Sequence, residues 1–278
     1  MQATIGATFL IVFRETLEAG LIIGAILTVL SRLKARQYFV HVFVSTALAI
    51  LASIGAAWGI ELLTSSVRGQ YVKIVEGAVS LLACGVLTYM ILWMAKQSRR
   101  IKSDIESKLT EAVSGKDLFV MISLPFISVF REGVETVLFL KAISLQTSEA
   151  VSWVGGIFGF GLSAFVITLI FIGGKRISLK PLFKATSFLL FFIAAGLLAY
   201  GVHELEEAGW LSGIISPVWN TNHILNEKEG FGAFMKALFG YNGNPSLLEV
   251  MVYISYFLSM ILLIRFRDKE VEKSYLRV

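Results

Sequence analysis

Two short charged motifs could do chemistry in this chain. One reads R-E-T-L-E at residues 14–18, and the other reads R-E-G-V-E at residues 131–135. Residues three apart share one face of a helix, so the two carboxylates of each motif would point the same way. The candidate cation ligands are therefore four glutamates: Glu15, Glu18, Glu132 and Glu135.

An arginine opens each motif, four residues before its second glutamate. This spacing lets Arg14 brace Glu18 and lets Arg131 brace Glu135. Four glutamates against two arginines leave a surplus of negative charge, which suits a cation pathway. The alternative is a structural ion-pair knot that locks two helices together, but such a knot would need balanced charges.

The composition predicts that these motifs lie in a membrane. Of the 278 residues, 56% are hydrophobic and only 16% are charged, and the mean hydropathy is +0.74. One soluble core could not bury so much apolar surface. These values exclude a soluble enzyme, a disordered chain, a disulfide scaffold and a nucleic-acid binder, and they indicate an integral membrane protein. Its apolar runs are continuous, whereas barrel strands would alternate over about 10 residues, so we expect an all-α protein.

Seven apolar stretches are long enough to cross the hydrocarbon core as helices. They cover residues 4–30, 39–64, 72–95, 118–141, 150–173, 182–203 and 247–264. Both charged motifs then fall near the centre of a span. The prediction is a single transmembrane domain over 1–278, with a cytoplasmic loop at about 96–117 and an extracytoplasmic loop at about 204–246.

The distribution of positive charge predicts the orientation. The segments 31–38, 96–117, 174–184 and 265–278 hold 18 of the 25 lysines and arginines, and the loops on the opposite side hold five. Cytoplasmic loops carry the excess of positive charge. The N-terminus is therefore expected outside and the C-terminus in the cytoplasm. Because the membrane orientation accounts for the excess of positive charge, we expect no nucleic-acid partner.

The two motifs recur 117 residues apart, in the first and fourth spans. Three spans per unit is an odd number, so the two units would cross the membrane in opposite directions. This pattern predicts a 3+3 inverted repeat, at about 1–95 and 118–209, with the seventh helix outside it. A site between such repeats lies near the bilayer midplane.

The predicted outer face is acidic and would concentrate cations. A histidine and several glutamates cluster at the outer ends of the third and sixth spans. We regard these residues as a candidate metal group at the outer mouth: His203, Glu204, Glu206, Glu207 and Glu76.

With these motifs the chain resembles the high-affinity iron permease family, the membrane partner of oxidase-linked iron uptake. Further similarities are Glu76-Gly77, the segments 85–90 and 203–209, and Pro-Ser-Leu-Leu-Glu at 245–249. The resemblance covers nearly the whole chain. It implies a plasma-membrane permease that carries iron ions through the four motif glutamates, with Arg14 and Arg131 supporting them. It also implies contact with membrane lipid and a partner such as an iron oxidase or an extracytoplasmic iron-delivery protein.

The ligand chemistry alone leaves other substrates open. Carboxylate oxygens suit Fe(III), Fe(II), Mn(II), Mg(II) and Ca(II), so the choice of iron, as Fe2+ or Fe3+, comes from the resemblance. A transporter of another divalent metal or cation is the main alternative, and a membrane scaffold is a weaker one. The sequence lacks Glu-x-x-His pairs and the common hydrolase and phosphate-binding motifs, so we expect no enzyme and no cofactor.

Overall fold

The computed structural model describes residues 4–69, 71–97, 101–115, 117–171, 180–212 and 215–275, without the side chains of 93–97, 101–105, 180 and 267–275. Every regular element in these ranges is helical. The helices are α1 (Thr4–Arg32), α2 (Phe39–Ser66), α3 (Tyr71–Gln97), α4 (Ile101–Gly115), α5 (Leu118–Thr147), α6 (Trp153–Phe171), α7 (Lys180–Glu207), α8 (Gly230–Phe239) and α9 (Leu247–Tyr275). A short 3-10 turn, Arg36–Tyr38, leads into α2.

Five stretches in these ranges are long and apolar enough to cross a membrane: Arg36–Ser66, Tyr71–Leu92, Trp153–Phe171, Pro181–Glu207 and Leu247–Phe266. The prediction of an all-helical integral membrane protein is thus confirmed. α1 and α5 have 29 and 30 residues, which is also sufficient length. They carry the charged motifs, so composition alone does not qualify them as spans, and the total of seven stays a prediction.

Two short helices occupy stretches that were predicted as loops. α4 lies within 96–117, and α8 lies within 204–246. Both are shorter than a span, so a search for runs of about 20 apolar residues passes over them. Part of the charge pattern behind the predicted orientation lies outside the described residues, namely Arg99, Arg100, Lys116, Lys175, Arg176 and Arg277.

Helices of the first half pack on helices of the second half. The pairs α1 with α6, α2 with α5, α3 with α7, and α1 with α5 are all in contact. α1 and α6 run parallel. A Cβ on Gly155, at the start of α6, would lie 2.5 Å from the carbonyl oxygen of Ile5 at the start of α1, and a Cβ on Gly24, further along α1, would meet the ring of Phe171 at the end of α6. This close approach requires glycine at position 155, where any side chain would strike backbone.

α2 and α5 also run parallel. A Cβ on Gly133 would lie 2.1 Å from Ser53 Oγ, and eight residues further along both helices Lys141 Nζ lies 2.7 Å from Glu61 Oε2. α3 and α7 run antiparallel, since Lys73 near the start of α3 contacts the end of α7. Each half therefore contributes one member to every one of these pairs.

Two buried apolar clusters lie on either side of the motif level. One joins the start of α1 to the end of α5 and to α8. The other joins the end of α1 to the start of α5 and to α4. α1 and α5 are therefore antiparallel, and their charged residues face each other between two apolar layers.

Candidate functional site: a buried carboxylate group

The motif on α1 is held against α6. Ser163 Oγ donates a hydrogen bond of 2.5 Å to the carbonyl oxygen of Phe13, the residue before Arg14. One turn earlier, a Cβ on Gly159 would lie 2.7 Å from the Phe9 carbonyl oxygen. The glycines thus let the α6 backbone reach α1, and this contact fixes the face on which α1 presents its carboxylates.

The motif on α5 is positioned in an equivalent way by α2. Gly133, inside the R-E-G-V-E motif, packs directly on Ser53 of α2. The aromatic residues before the two motifs also correspond. Phe9 and Phe13 stack with ring centroids 5.8 Å apart, and Phe126 and Phe130 stack at 5.7 Å. Both motifs therefore begin one residue after a stacked aromatic pair.

Three of the four predicted glutamates come together. Carboxylate oxygens of Glu15, Glu132 and Glu135 all lie within 4.8 Å of one another. Glu15 and Glu132 are each 2% exposed. Neither carboxylate oxygen of Glu15 accepts a hydrogen bond from the described part of the chain. We call these three residues the carboxylate group.

The fourth glutamate lies beside the group and pairs with an arginine. Arg14 Nε lies 2.8 Å from Glu18 Oε1, as the spacing of four residues predicts, and the Arg14 side chain is fully buried. Glu18 is thus the partner of Arg14, and it does not join the three-carboxylate cluster.

Arg131 makes a different contact from Arg14. Its guanidinium pairs closely with Glu132, and its Nε lies 3.6 Å from Glu135 Oε1. Its side chain is 44% exposed. The two motifs share their sequence pattern, yet only the α1 arginine is enclosed by protein.

The carboxylate group is suited to a hard cation. Such cations hold oxygen ligands at about 2.0–2.6 Å, so ligands on opposite sides of one ion lie about 4–5 Å apart. The observed oxygens fall within that spacing. Burying several carboxylates together is costly, because each loses hydration and like charges repel. A cation between them would offset both costs.

The residues predicted to lie at the outer mouth form a second group, and the structure adds two members that the sequence did not indicate. Lys73 Nζ lies 2.9 Å from both Glu204 Oε2 and Glu207 Oε2, and 3.9 Å from Glu76. The lysine thus places its own positive charge among these glutamates.

Glu249 is the other missed member. Its Oε1 lies 2.9 Å from His203 Nδ1, while His203 Nε2 lies 3.3 Å from Glu207 Oε1. Glu206 accepts a hydrogen bond of 2.6 Å from Ser246 Oγ, at the start of α9. His203, Glu206 and Glu249 offer ligand atoms within 4.8 Å of one another. The segment 245–249 was noted in the sequence as a similarity to the iron permease family, but the sequence did not indicate that it lies beside α7.

The chain is similar in sequence to known iron permeases. The profile of the iron permease FTR1 family matches residues 6–267. The chain is 32% identical over 257 residues to the ferrous iron permease EfeU of Yersinia pestis, covering 92% of this chain and 91% of the relative. It is 31% identical over 250 residues to the ferrous iron permease EfeU of Escherichia coli O6:H1, covering 89% and 91%. No solved structure matches the chain significantly. The matched family and these relatives are permeases, which transport rather than catalyse.

Proposed function

The chain belongs to the iron permease FTR1 family, and we propose that it moves ferrous iron across the plasma membrane into the cytoplasm through the carboxylate group. The choice of Fe(II) rests on relatives named as ferrous iron permeases. The observation that carries the site is Glu15, whose buried carboxylate oxygens lack hydrogen-bond donors among the described residues.

The electrostatics favour a cation at this position. Glu15, Glu132 and Glu135 stand together, and Arg131 neutralises one charge at most. A structural knot would leave no buried carboxylate without a donor, because unsatisfied buried polar groups cost free energy. The Arg14–Glu18 pair fits the structural role instead, and we assign Glu18 to supporting α1 and tuning the charge of the site.

The packing directions support an inverted repeat. In the proposed repeat, α1, α2 and α3 correspond to α5, α6 and α7. If the two sets are exchanged, the α1–α6 contact becomes the α5–α2 contact, and the α1–α5 and α3–α7 contacts map onto themselves. An odd number of spans per repeat requires α1 and α5 to be antiparallel, as observed. We therefore propose seven spans, with α1 and α5 crossing the membrane and the carboxylate group near its midplane.

For the topology, we propose an external N-terminus and a cytoplasmic C-terminus, following the positive-inside rule. The outer-mouth group then faces the side from which iron arrives. An iron oxidase or an extracytoplasmic iron-delivery protein is the partner we propose there. Lys73 holds the mouth glutamates in the absence of iron and would be displaced from them as a cation enters.

Uptake by purified protein in liposomes tests the substrate. Radioactive Fe(II), kept reduced with ascorbate, is compared with chelated Fe(III) and with Mn(II) at equal free concentration. We expect time-dependent accumulation of Fe(II) that exceeds that of the other two ions. Faster uptake of Mn(II) than of Fe(II) would favour the alternative, a transporter of another divalent metal.

A further inference from the structure

A cleft with a mixed polar and apolar lining separates α4 from the first half of α5. It has a volume of about 720 Å³. Its lining combines charged and hydroxyl side chains with apolar ones. The polar members are Lys108, Glu111, Asp117, Ser123 and Ser128, and the apolar side chains are Ala112, Val120, Leu124 and Ile127. Asp117 caps α5 by accepting hydrogen bonds from the backbone N–H groups of Phe119 and Val120, at 3.0 and 3.3 Å.

The cleft ends one helical turn before Arg131, which contacts two members of the carboxylate group. Its deepest lining residue along α5 is Ser128, and Arg131 follows one turn later, about 4.5 Å along the helix axis. Arg131 contacts both Glu132 and Glu135, and its side chain is 44% exposed. A charge at this depth would be costly against lipid. Its exposure is therefore best explained by water that enters through the cleft.

On the other side of the carboxylate group, an apolar layer closes the path. Ile11 lies one turn from Glu15, and Phe139 lies one turn from Glu135, both in the direction of α8. They are buried together with Ala237 and Leu238 of α8. Hydrated ions do not cross a packed apolar layer, so access from this side is shut in the observed conformation.

α4 separates apolar from polar contacts at the other end. Leu109 and Ala112 belong to a buried cluster with Ile26 and Leu30 of α1, whereas Lys108 and Glu111 face the cleft. The helix thus packs on α1 through its apolar side, and Lys108 and Glu111 give the cleft toward α5 a charged wall, with Ala112 contributing to both.

We infer that the cleft between α4 and α5 is the release half of the ion pathway, and that Arg131 stands at its junction with the carboxylate group. This inference rests on the proposed function, since it takes the ion from that site. The ion leaves past Arg131, and the Ser128 and Ser123 oxygens replace part of its hydration on the way to Glu111 and Asp117. The observed conformation is then open toward α4 and closed toward α8.

Thiol labelling tests this path without iron. In a Cys84→Ala background, Ser128→Cys and Ser123→Cys are compared with Ile122→Cys, which lies beside Ser123 but does not line the cleft. A membrane-impermeant cationic methanethiosulfonate is applied to inside-out and right-side-out vesicles. We expect Ser128→Cys and Ser123→Cys to react at least tenfold faster than Ile122→Cys, and only from the side that α4 faces.

Transport of the labelled protein supplies the second readout. In liposomes, labelled Ser128→Cys should carry Fe(II) at least tenfold more slowly than the same variant unlabelled, and reduction of the mixed disulfide should restore the rate. Labelling no faster than at Ile122→Cys, labelling from the α8 side, or an unchanged rate after labelling would each overturn the inference. Failure of the proposed function is distinguishable, since it would appear as wild-type uptake by Glu15→Gln, whatever the labelling gives.

Discussion

Replacing Glu15 and Glu18 by glutamine should have opposite effects on stability, although they lie three residues apart on α1. Glu18 pairs with Arg14 at 2.8 Å, and the Arg14 side chain has no exposed surface. Glu15 has no hydrogen-bond donor among the described residues and lies against Glu132 and Glu135. Glu18→Gln therefore removes a charge from a buried pair, whereas Glu15→Gln removes a source of repulsion.

The magnitudes follow from these contacts. Removing one partner of a buried ion pair costs about 3–5 kcal/mol. At roughly 2–4 °C per kcal/mol, that cost corresponds to a Tm lowered by about 6–20 °C. Two unit charges 4.8 Å apart repel by about 3.5 kcal/mol at an effective dielectric constant of 20. Arg131, which contacts Glu132 and Glu135, offsets part of this repulsion, so Glu15→Gln should raise the free energy of unfolding by about 1–3 kcal/mol.

Thermal unfolding in detergent, in the presence of a chelator so that no iron is bound, measures both effects. We expect a Tm above that of the wild type for Glu15→Gln and below it for Glu18→Gln. Adding Fe(II) should raise the Tm of the wild type and leave that of Glu15→Gln unchanged, since ligands stabilise only the state that binds them. Equal losses of stability in the two variants without iron would refute the division between a cation ligand and a structural pair.

Three further predictions address the mouth, the helix packing and the topology. Lys73→Gln removes the ammonium that contacts Glu204 and Glu207. In uptake assays at low salt, the KM for Fe(II) should fall about three- to tenfold at a similar maximal rate, and high salt should abolish this difference. A raised KM would contradict the role of Lys73. Gly159→Ala places a methyl group 2.7 Å from backbone and should lower the free energy of unfolding by about 1–3 kcal/mol, whereas Gly161→Ala, with nothing within 4 Å, should be neutral in the same thermal assay. In intact cells, Asn226→Cys should react with impermeant thiol reagents and Ser107→Cys should not; the reverse pattern would invert the proposed orientation.

Spacing along the chain predicted what happens within one helix. The pairing of Arg14 with Glu18 is a contact between residues four apart, and it follows from helical geometry alone. The helical class followed from the continuous apolar runs, because the strands of a membrane barrel would instead alternate over about 10 residues.

The sequence did not predict which side chains of different helices are in contact. Nothing in the spacing indicates that Lys73 of α3 reaches Glu204 of α7, or that His203 meets Glu249 at the start of α9. The two motifs share the pattern R-E-x-x-E, yet Arg14 is enclosed and Arg131 is partly exposed. We infer that this difference reflects the cleft between α4 and α5, which ends one turn before Arg131. α4 was not predicted, because short helices give no span-length signal.

The central claim is that the buried carboxylates of Glu15, Glu132 and Glu135 carry the transported cation. The most direct test is uptake of radioactive Fe(II) into liposomes by Glu15→Gln, with Glu229→Gln as the control, since Glu229 is an exposed glutamate outside the group. Equal amounts of folded protein are reconstituted and initial rates are compared. We predict that Glu15→Gln loses at least 90% of the wild-type rate and that Glu229→Gln keeps it. Uptake by folded Glu15→Gln at the wild-type rate would contradict the claim.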